Sequence, residues 1–262
     1  MTAVSLALSL ATAVAFVVVL APIVVVLAIS FSSVDSFAFP PPGLSLRWYR
    51  DFFGSSGLTG AFLFSVEISV VSSLTAAFLG TLGALVVTRE KSRAGPALQG
   101  TFLAPLVFPT IILGLALLIF FRAIGLPSTV ALVVAHVLIG VPYCFRSTLA
   151  SLLAFDRAIE EAAASLGAGP VRSFVLVTFP LIWPGVIAGG MFAFIVSFGE
   201  VNADLFLTGP GYTTLPIEML SHLQFPGDQL VIAAASAVQV GLILVAVALI
   251  ERIAGVGRLI RR

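Results

Sequence analysis

The stretch Ser5–Phe31, SLALSLATAVAFVVVLAPIVVVLAISF, contains no charged side chain, and its reading decides the class of the fold. The hydrocarbon core of a bilayer is about 30 Å thick and takes about 20 helical residues to cross. This run is long enough to cross it. A secretory signal has a charged head and an apolar core of about 7 to 15 residues; no charge precedes Ser5 and the run is far longer, so a retained helix is predicted. Comparable runs follow at Ala61–Val87, Gly100–Phe121, Ser128–Ala150, Pro184–Leu207 and Leu230–Ile250. Over the whole chain 60% of residues are hydrophobic and 10% are charged, where soluble domains carry about 25% charged residues. Mean hydropathy is +1.18. The sequence predicts an all-α, polytopic membrane protein of six transmembrane helices with membrane lipid around it, in one domain covering 1–262 and with no soluble domain at either end.

Lysine and arginine are retained in cytoplasmic loops, so their distribution sets orientation. Arg89, Lys91 and Arg93 follow span two; Arg146, Arg157 and Arg172 follow span four; Arg252, Arg258, Arg261 and Arg262 form the tail. Only Arg47, Arg50 and Arg122 fall on the other side. Both termini are expected in the cytoplasm.

Several chemistries are excluded by what the sequence lacks. Cys144 is the only cysteine, and His136 and His222 are far apart with no ligand spacing around them, so no metal site is expected. A net charge of +1 with no basic stripe among aromatics leaves no footprint for nucleic acid. A membrane enzyme would need paired catalytic groups on the spans, and neither a Gly-x-Ser-x-Gly with a usable histidine nor a facing aspartate pair occurs.

The loop between spans four and five, about 151–180, reads Asp156-Arg157-Ala158-Ile159-Glu160-Glu161-Ala162-Ala163-Ala164-Ser165-Leu166-Gly167 near its start. Asp156 suits an N-cap, Glu160 and Glu161 suit the first turns of a helix, and Gly167 suits its end. A surface helix of about three turns is predicted, with a smooth alanine face and Leu166 as an apolar anchor for a partner's groove. The segment resembles the signature of ABC importer permeases: Glu161-Ala162-Ala163, then Gly167, Val177 and Phe179-Pro180 at the family's spacing, with Val177 for Ile and Phe179 for Leu. The resemblance implies a type I, binding-protein-dependent permease in a bacterial inner membrane. It also implies a cytoplasmic coupling helix formed by Glu160, Glu161, Ala162, Ala163, Leu166 and Gly167. The implied partners are two ATP-binding subunits, a second permease chain and an extracytoplasmic substrate-binding protein. No Gly-x-x-x-x-Gly-Lys occurs and Lys91 is the sole lysine, so no cofactor is expected in this chain; ATP and Mg would be bound by the partner subunits.

Ser197-Phe198-Gly199-Glu200, with Leu205 to Gly211 and Thr214-Leu215-Pro216-Ile217, resembles the end of span five in spermidine and putrescine permeases and their relatives for aminoethylphosphonate, opines and 4-aminobutyrate. Many polyamine permeases carry Asp where this chain has Gly199. Outside the cytoplasmic loops the acids are Asp35, Asp51, Glu67, Glu200, Asp204, Glu218 and Asp228, against three arginines. Such a vestibule would concentrate cations and discourage anions such as sulfate, molybdate or phosphate. At 1.5 Å per residue Glu67 falls about 9 Å below the outer face and Glu200 about 6 Å, with Asp204 one turn nearer water on the same helix face. Glu67, Glu200, Asp204 and Asn202 are therefore candidates for a substrate path carrying a small cationic solute such as a polyamine. Other readings stay open: a structural carboxyl bonded to Ser65, Ser69 or Ser72 for Glu67, an interfacial helix end for Glu200 and Asp204, and helix packing for His136 and for Phe194, Phe198 and Phe206. The alternative substrates are zwitterions such as 2-aminoethylphosphonate or 4-aminobutyrate; the alternative machine is a secondary carrier that would lack a coupling helix.

Overall fold

Long apolar runs with their backbone polar groups hidden from lipid have one solution short of a closed barrel, the helix, and the computed structural model of this chain is built from helices. It describes residues 3–89, 94–154, 156–224 and 229–254. Lys91, Arg93, Arg258, Arg261 and Arg262 of the charge bias, and Asp228 of the outer acids, lie outside the described residues.

In chain order the helices are α1 (Ala3–Ile29), α2 (Arg47–Gly54), α3 (Ser56–Arg89), α4 (Ala94–Leu103), α5 (Thr110–Ala123), α6 (Ser128–Ala154), α7 (Ala158–Ser165), α8 (Pro170–Ser173), α9 (Phe179–Phe198), α10 (Asp204–Leu207), α11 (Leu215–His222) and α12 (Gln229–Ala254). Among the described residues, five continuous helical stretches are long and apolar enough to cross a membrane: α1, α3, α6, Pro170–Phe198 and α12. α3 has 34 residues, a rise of about 50 Å, and extends well beyond the hydrocarbon. α6 continues to Ala154, so Arg146, expected in the loop after span four, stands on an exposed part of that helix.

The third expected span, Gly100–Phe121, is not one helix. A 3-10 turn at Ala104–Leu106 follows α4, and Gly95–Leu106 meets Thr110–Ala123 at 96°. Pro105 and Pro109 explain the break: neither has an N–H for the helix ladder, and a residue preceding proline, here Phe108, is pushed out of the α region. The pair forms either one broken span or a re-entrant loop, which makes five spans or six.

Span five also differs from expectation, starting earlier and stopping sooner. Pro170 opens it, and a π turn at Phe174–Thr178 carries it into α9, which ends at Phe198. The π turn sits just ahead of Pro180, whose ring would clash with the carbonyl four residues back in a regular α-helix; widening the turn removes the conflict. Because α9 stops at Phe198, Asp204 does not continue the helix face of Glu200, and the shared depth derived for Glu67 and Glu200 loses its basis.

The described chain forms two compact units, Met1–Gly60 with Glu218–Leu242 and Ala61–Ile217 with Ile243–Arg262. In the first, α2 buries Trp48 and Phe52, four residues apart and so on one face, and Trp48 packs with Ile29, Leu230, Ala233 and Ala234. The Trp48 indole N–H donates to the Ser32 carbonyl at 2.8 Å. In the second, α6 is the central helix, packed on α9 and against α5. Without a hydrophobic drive between helices in lipid, close backbone approach supplies the attraction. Two glycines permit it. A Cβ on Gly189 would lie 2.7 Å from Cys144 Cα, and one on Gly80 would lie 2.7 Å from the Phe145 backbone nitrogen. Phe102 stacks on Phe145 with centroids 4.9 Å apart, fastening α4 to α6.

Candidate functional site

The expected surface helix is α7, and the sequence shapes both its ends. At the start, Asp156 Oδ1 accepts the Ala158 N–H at 2.9 Å while its carbonyl accepts from Ile159, but Asp156 stands one residue ahead of the N-cap it was expected to form: Arg157 takes that position, its carbonyl accepting the Glu161 N–H at 3.1 Å, and makes no side-chain cap. At the end, Gly167 adopts φ +85°, a left-handed conformation that suits glycine. The Gly167 N–H then donates to Ala164 O at 2.9 Å and the Ala168 N–H to Ala163 O at 3.0 Å, the paired bonds of a Schellman stop. Leu166, next to this stop, is 89% exposed, and Glu161 and Ala162 are exposed as well. Glu160 is half-buried. Its Oε1 accepts from Arg89 at 3.2 Å and from the Thr178 hydroxyl.

The other candidate residues cluster where α9 ends. Glu200 is buried just past the helix, and its Oε1 accepts the Ala203 N–H at 3.1 Å, so the carboxylate caps its own turn. Asn202 is exposed, and its amide donates to Thr110 Oγ1 at 3.2 Å at the start of α5. Gly114 lets α5 approach this turn, since a Cβ there would stand 2.6 Å from Ala203 Cα.

Asp204 is fully buried and fully engaged. His136 Nε2 lies 2.8 Å from Oδ1, and the Thr214 hydroxyl donates to Oδ2 at 2.7 Å. His136 Nδ1 is 2.6 Å from Ser197 Oγ, which donates to Ser69 Oγ at 3.2 Å. Ser65 Oγ accepts the Leu215 N–H at 2.7 Å. Asp204 thus stands in a buried polar network inside the second unit, each of its carboxylate oxygens bonded to a neighbouring element.

Glu67 goes the other way. Ser65 and Ser69 are buried on one face of α3, and Glu67, two residues from each, is exposed on another. Among the described residues it has no hydrogen-bond or ion-pair partner, and it does not join Asp204. Of the aromatic stripe, Phe194 stacks on Phe198 at 5.7 Å and buried Phe198 meets Phe62 edge-on at 6.0 Å, whereas Phe206 lies past the end of α9, in α10, and does not continue the helical stripe. Nothing in the sequence marks Arg89, Thr178, Thr214 or Ser197 for these contacts, and His136 was expected only to pack. A histidine amid a span was the one signal of the network, because a buried imidazole requires partners.

Over residues 76–254 the chain matches the family described as Binding-protein-dependent transport system inner membrane component. It is 34% identical over 217 residues to the putrescine transport system permease protein PotI of Escherichia coli (strain K12), spanning 80% of this chain and 77% of that one. It is 35% identical over 213 residues to the molybdenum transport system permease protein ModB of Mycobacterium bovis, spanning 75% of this chain and 78% of that one. In fold it is similar to a chain in the crystal structure of a bacterial alginate ABC transporter in complex with alginate pentasaccharide-bound periplasmic protein, with a TM-score of 0.74 and 16% identity over 96% of this chain and 93% of that chain. This multi-pass chain therefore belongs to the family of binding-protein-dependent transport system inner membrane components.

Proposed function

We propose that this chain is the permease subunit of an ATP-driven importer and forms half of the translocation path for a small, positively charged organic solute. The observation that carries the permease reading is α7, a short, Schellman-terminated helix that holds Glu161, Ala162 and an almost fully exposed Leu166 outward. An apolar side chain so exposed beside a rigid stop is the shape that a partner's groove accepts. The partner is an ATP-binding subunit that binds ATP and Mg, one of two in the importer, and a second permease chain and an extracytoplasmic binding protein complete it. Both termini and α7 face the cytoplasm in this reading. ATP binding draws the two ATPases together, α7 transmits the movement, and the spans rock to open outward; since a ligand shifts only states for which its affinity differs, ATP and the loaded binding protein both favour the outward state.

The cationic substrate rests on less. Likeness to the putrescine permease supports it, as does the exposed, unpartnered carboxylate of Glu67 on a membrane helix, where an ionisable side chain marks a polar path. Glu200 beside the end of α9 is the second acid of this path and Asn202 its neutral hydrogen-bonding group. Asp204 acts as a strut for that segment and has no substrate contact. Likeness to the molybdenum permease favours a second reading, an inorganic oxyanion, and zwitterions lie between the two. The test is uptake by the complete importer in liposomes with labelled diamines, zwitterionic amines and molybdate. Amine uptake that requires ATP supports the proposal; molybdate uptake alone replaces the substrate; uptake without ATP overturns the importer.

A further inference from the structure

Neighbouring residues on a helix point about 100° apart, so Glu160 and Glu161 cannot both face a partner in the same way. Glu161 is exposed, whereas Glu160 turns toward its own chain. One oxygen, Oε1, accepts from the Arg89 guanidinium in the last turn of α3 and from the hydroxyl of Thr178, a fully buried residue at the end of the π turn. A second tie runs alongside, with the Arg157 guanidinium donating to the Thr88 carbonyl. The cleft bounded by Thr88, Arg89, Leu152, Arg157 and Glu160 measures about 20 Å³, room for about one water and for no larger ligand. This is a joint between three elements.

The placement of the joint matters more than its strength. An isolated, partly exposed ion pair adds little stability. Its three anchors, however, are the end of one spanning helix, the start of another and α7 between them. The π turn at Phe174–Thr178 is loosened by the missing N–H of Pro180, and such turns within helices fall frequently at functional sites. Thr178 is where Glu160 grips that turn.

We infer that Glu160 is a positioning residue that conveys displacement of α7 to the ends of α3 and α9, and is not a contact to the ATP-binding partner. This rests on α7 being the coupling helix. The experiment uses the complete importer in liposomes and reads two quantities, co-purification of the ATP-binding subunit and substrate imported per ATP hydrolysed. Glu160→Gln keeps the size of the side chain and should co-purify normally while importing about threefold to tenfold less per ATP. Thr178→Val and Arg89→Gln should do the same. Combining either with Glu160→Gln should add little, since all three disable one joint. Normal coupling in Glu160→Gln, additive losses in the double variants, or loss of co-purification would each overturn the inference. Glu161→Lys separates it from the underlying reading: if Glu161→Lys assembles and couples as wild type, α7 is not the coupling helix; if Glu161→Lys fails and Glu160→Gln couples normally, only the joint is wrong.

Discussion

His136 Nε2 and Asp204 Oδ1 lie 2.8 Å apart with both side chains out of contact with solvent, joining the middle of α6 to the short helix that follows the end of α9. Thr214 and Ser197 complete the contacts of the pair. Removing Asp204 takes the partner from two buried groups at once, His136 Nε2 and the Thr214 hydroxyl. Asp204→Ala should therefore destabilise the protein by about 2–5 kcal/mol. Asp204→Asn keeps an acceptor for the imidazole and should cost less. Thermal unfolding in detergent measures both, and an Asp204→Ala protein that melts with the wild type would show the pair to be idle.

Helix contact at Gly189 gives a second stability prediction. Gly189→Ala places a methyl 2.7 Å from Cys144 Cα, which is backbone and cannot swing aside, whereas Gly60 has nothing within 4 Å of its virtual Cβ. Overpacking of this kind costs about 1–3 kcal/mol. Gly189→Ala should melt measurably below wild type and Gly60→Ala should not; equal melting temperatures would mean that α6 and α9 yield freely.

A third prediction concerns the stop of α7. Any side chain at Gly167 meets the left-handed penalty of about 1–2 kcal/mol at φ +85°, which undoes the Schellman bonds and releases Leu166 from its fixed position. Gly167→Val should insert in the membrane normally, yet lose transport and substrate-stimulated ATPase activity in the assembled importer. Glu161→Lys should do likewise by reversing the charge of an exposed position. Wild-type uptake by both variants would remove α7 from the coupling pathway.

Orientation is tested by labelling. With Cys144 replaced, a cysteine at exposed Gly169 should resist an impermeant thiol reagent added outside, and one at exposed Ser56 should react. The reverse pattern would invert the chain and bring Glu67 nearer the inner face.

The spans and the stop of α7 were legible in the sequence because each is encoded locally: an apolar run measures itself against the bilayer, and a glycine terminates the helix it follows. Long-range partners are encoded nowhere nearby. Glu160 and Arg89 are 71 residues apart, and His136 and Asp204 are 68 apart, so spacing could not reveal that one glutamate of the adjacent pair turns inward or that Asp204 is consumed by an imidazole. The break at Pro105 and Pro109 lay between these cases, with its cause visible and its 96° angle set by packing. Helix periodicity misled at Asp204 for a related reason, since it assumed a helix that ends at Phe198.

Glu67 and Glu200 are the two acids still assigned to the path, and neutralising each tests the last prediction. Glu67 stands exposed on α3 without a partner, so Glu67→Gln removes charge and should leave folding unchanged. Glu200→Gln retains an oxygen for the Ala203 N–H and so preserves the turn while removing its charge. If a cationic substrate meets these carboxylates in the rate-limiting state, loss of a charge-assisted contact lowers uptake at limiting substrate by about tenfold to a hundredfold. Asp51→Asn, at an exposed position of α2, serves as the comparison and should change uptake by less than about twofold. The readout is initial uptake of a labelled diamine by the reconstituted importer, paired with melting temperature so that a transport defect is not mistaken for unfolding. Normal diamine uptake by both glutamine variants would overturn the cation path. Faster molybdate uptake by the same variants would point to a path for oxyanions that the two carboxylates oppose.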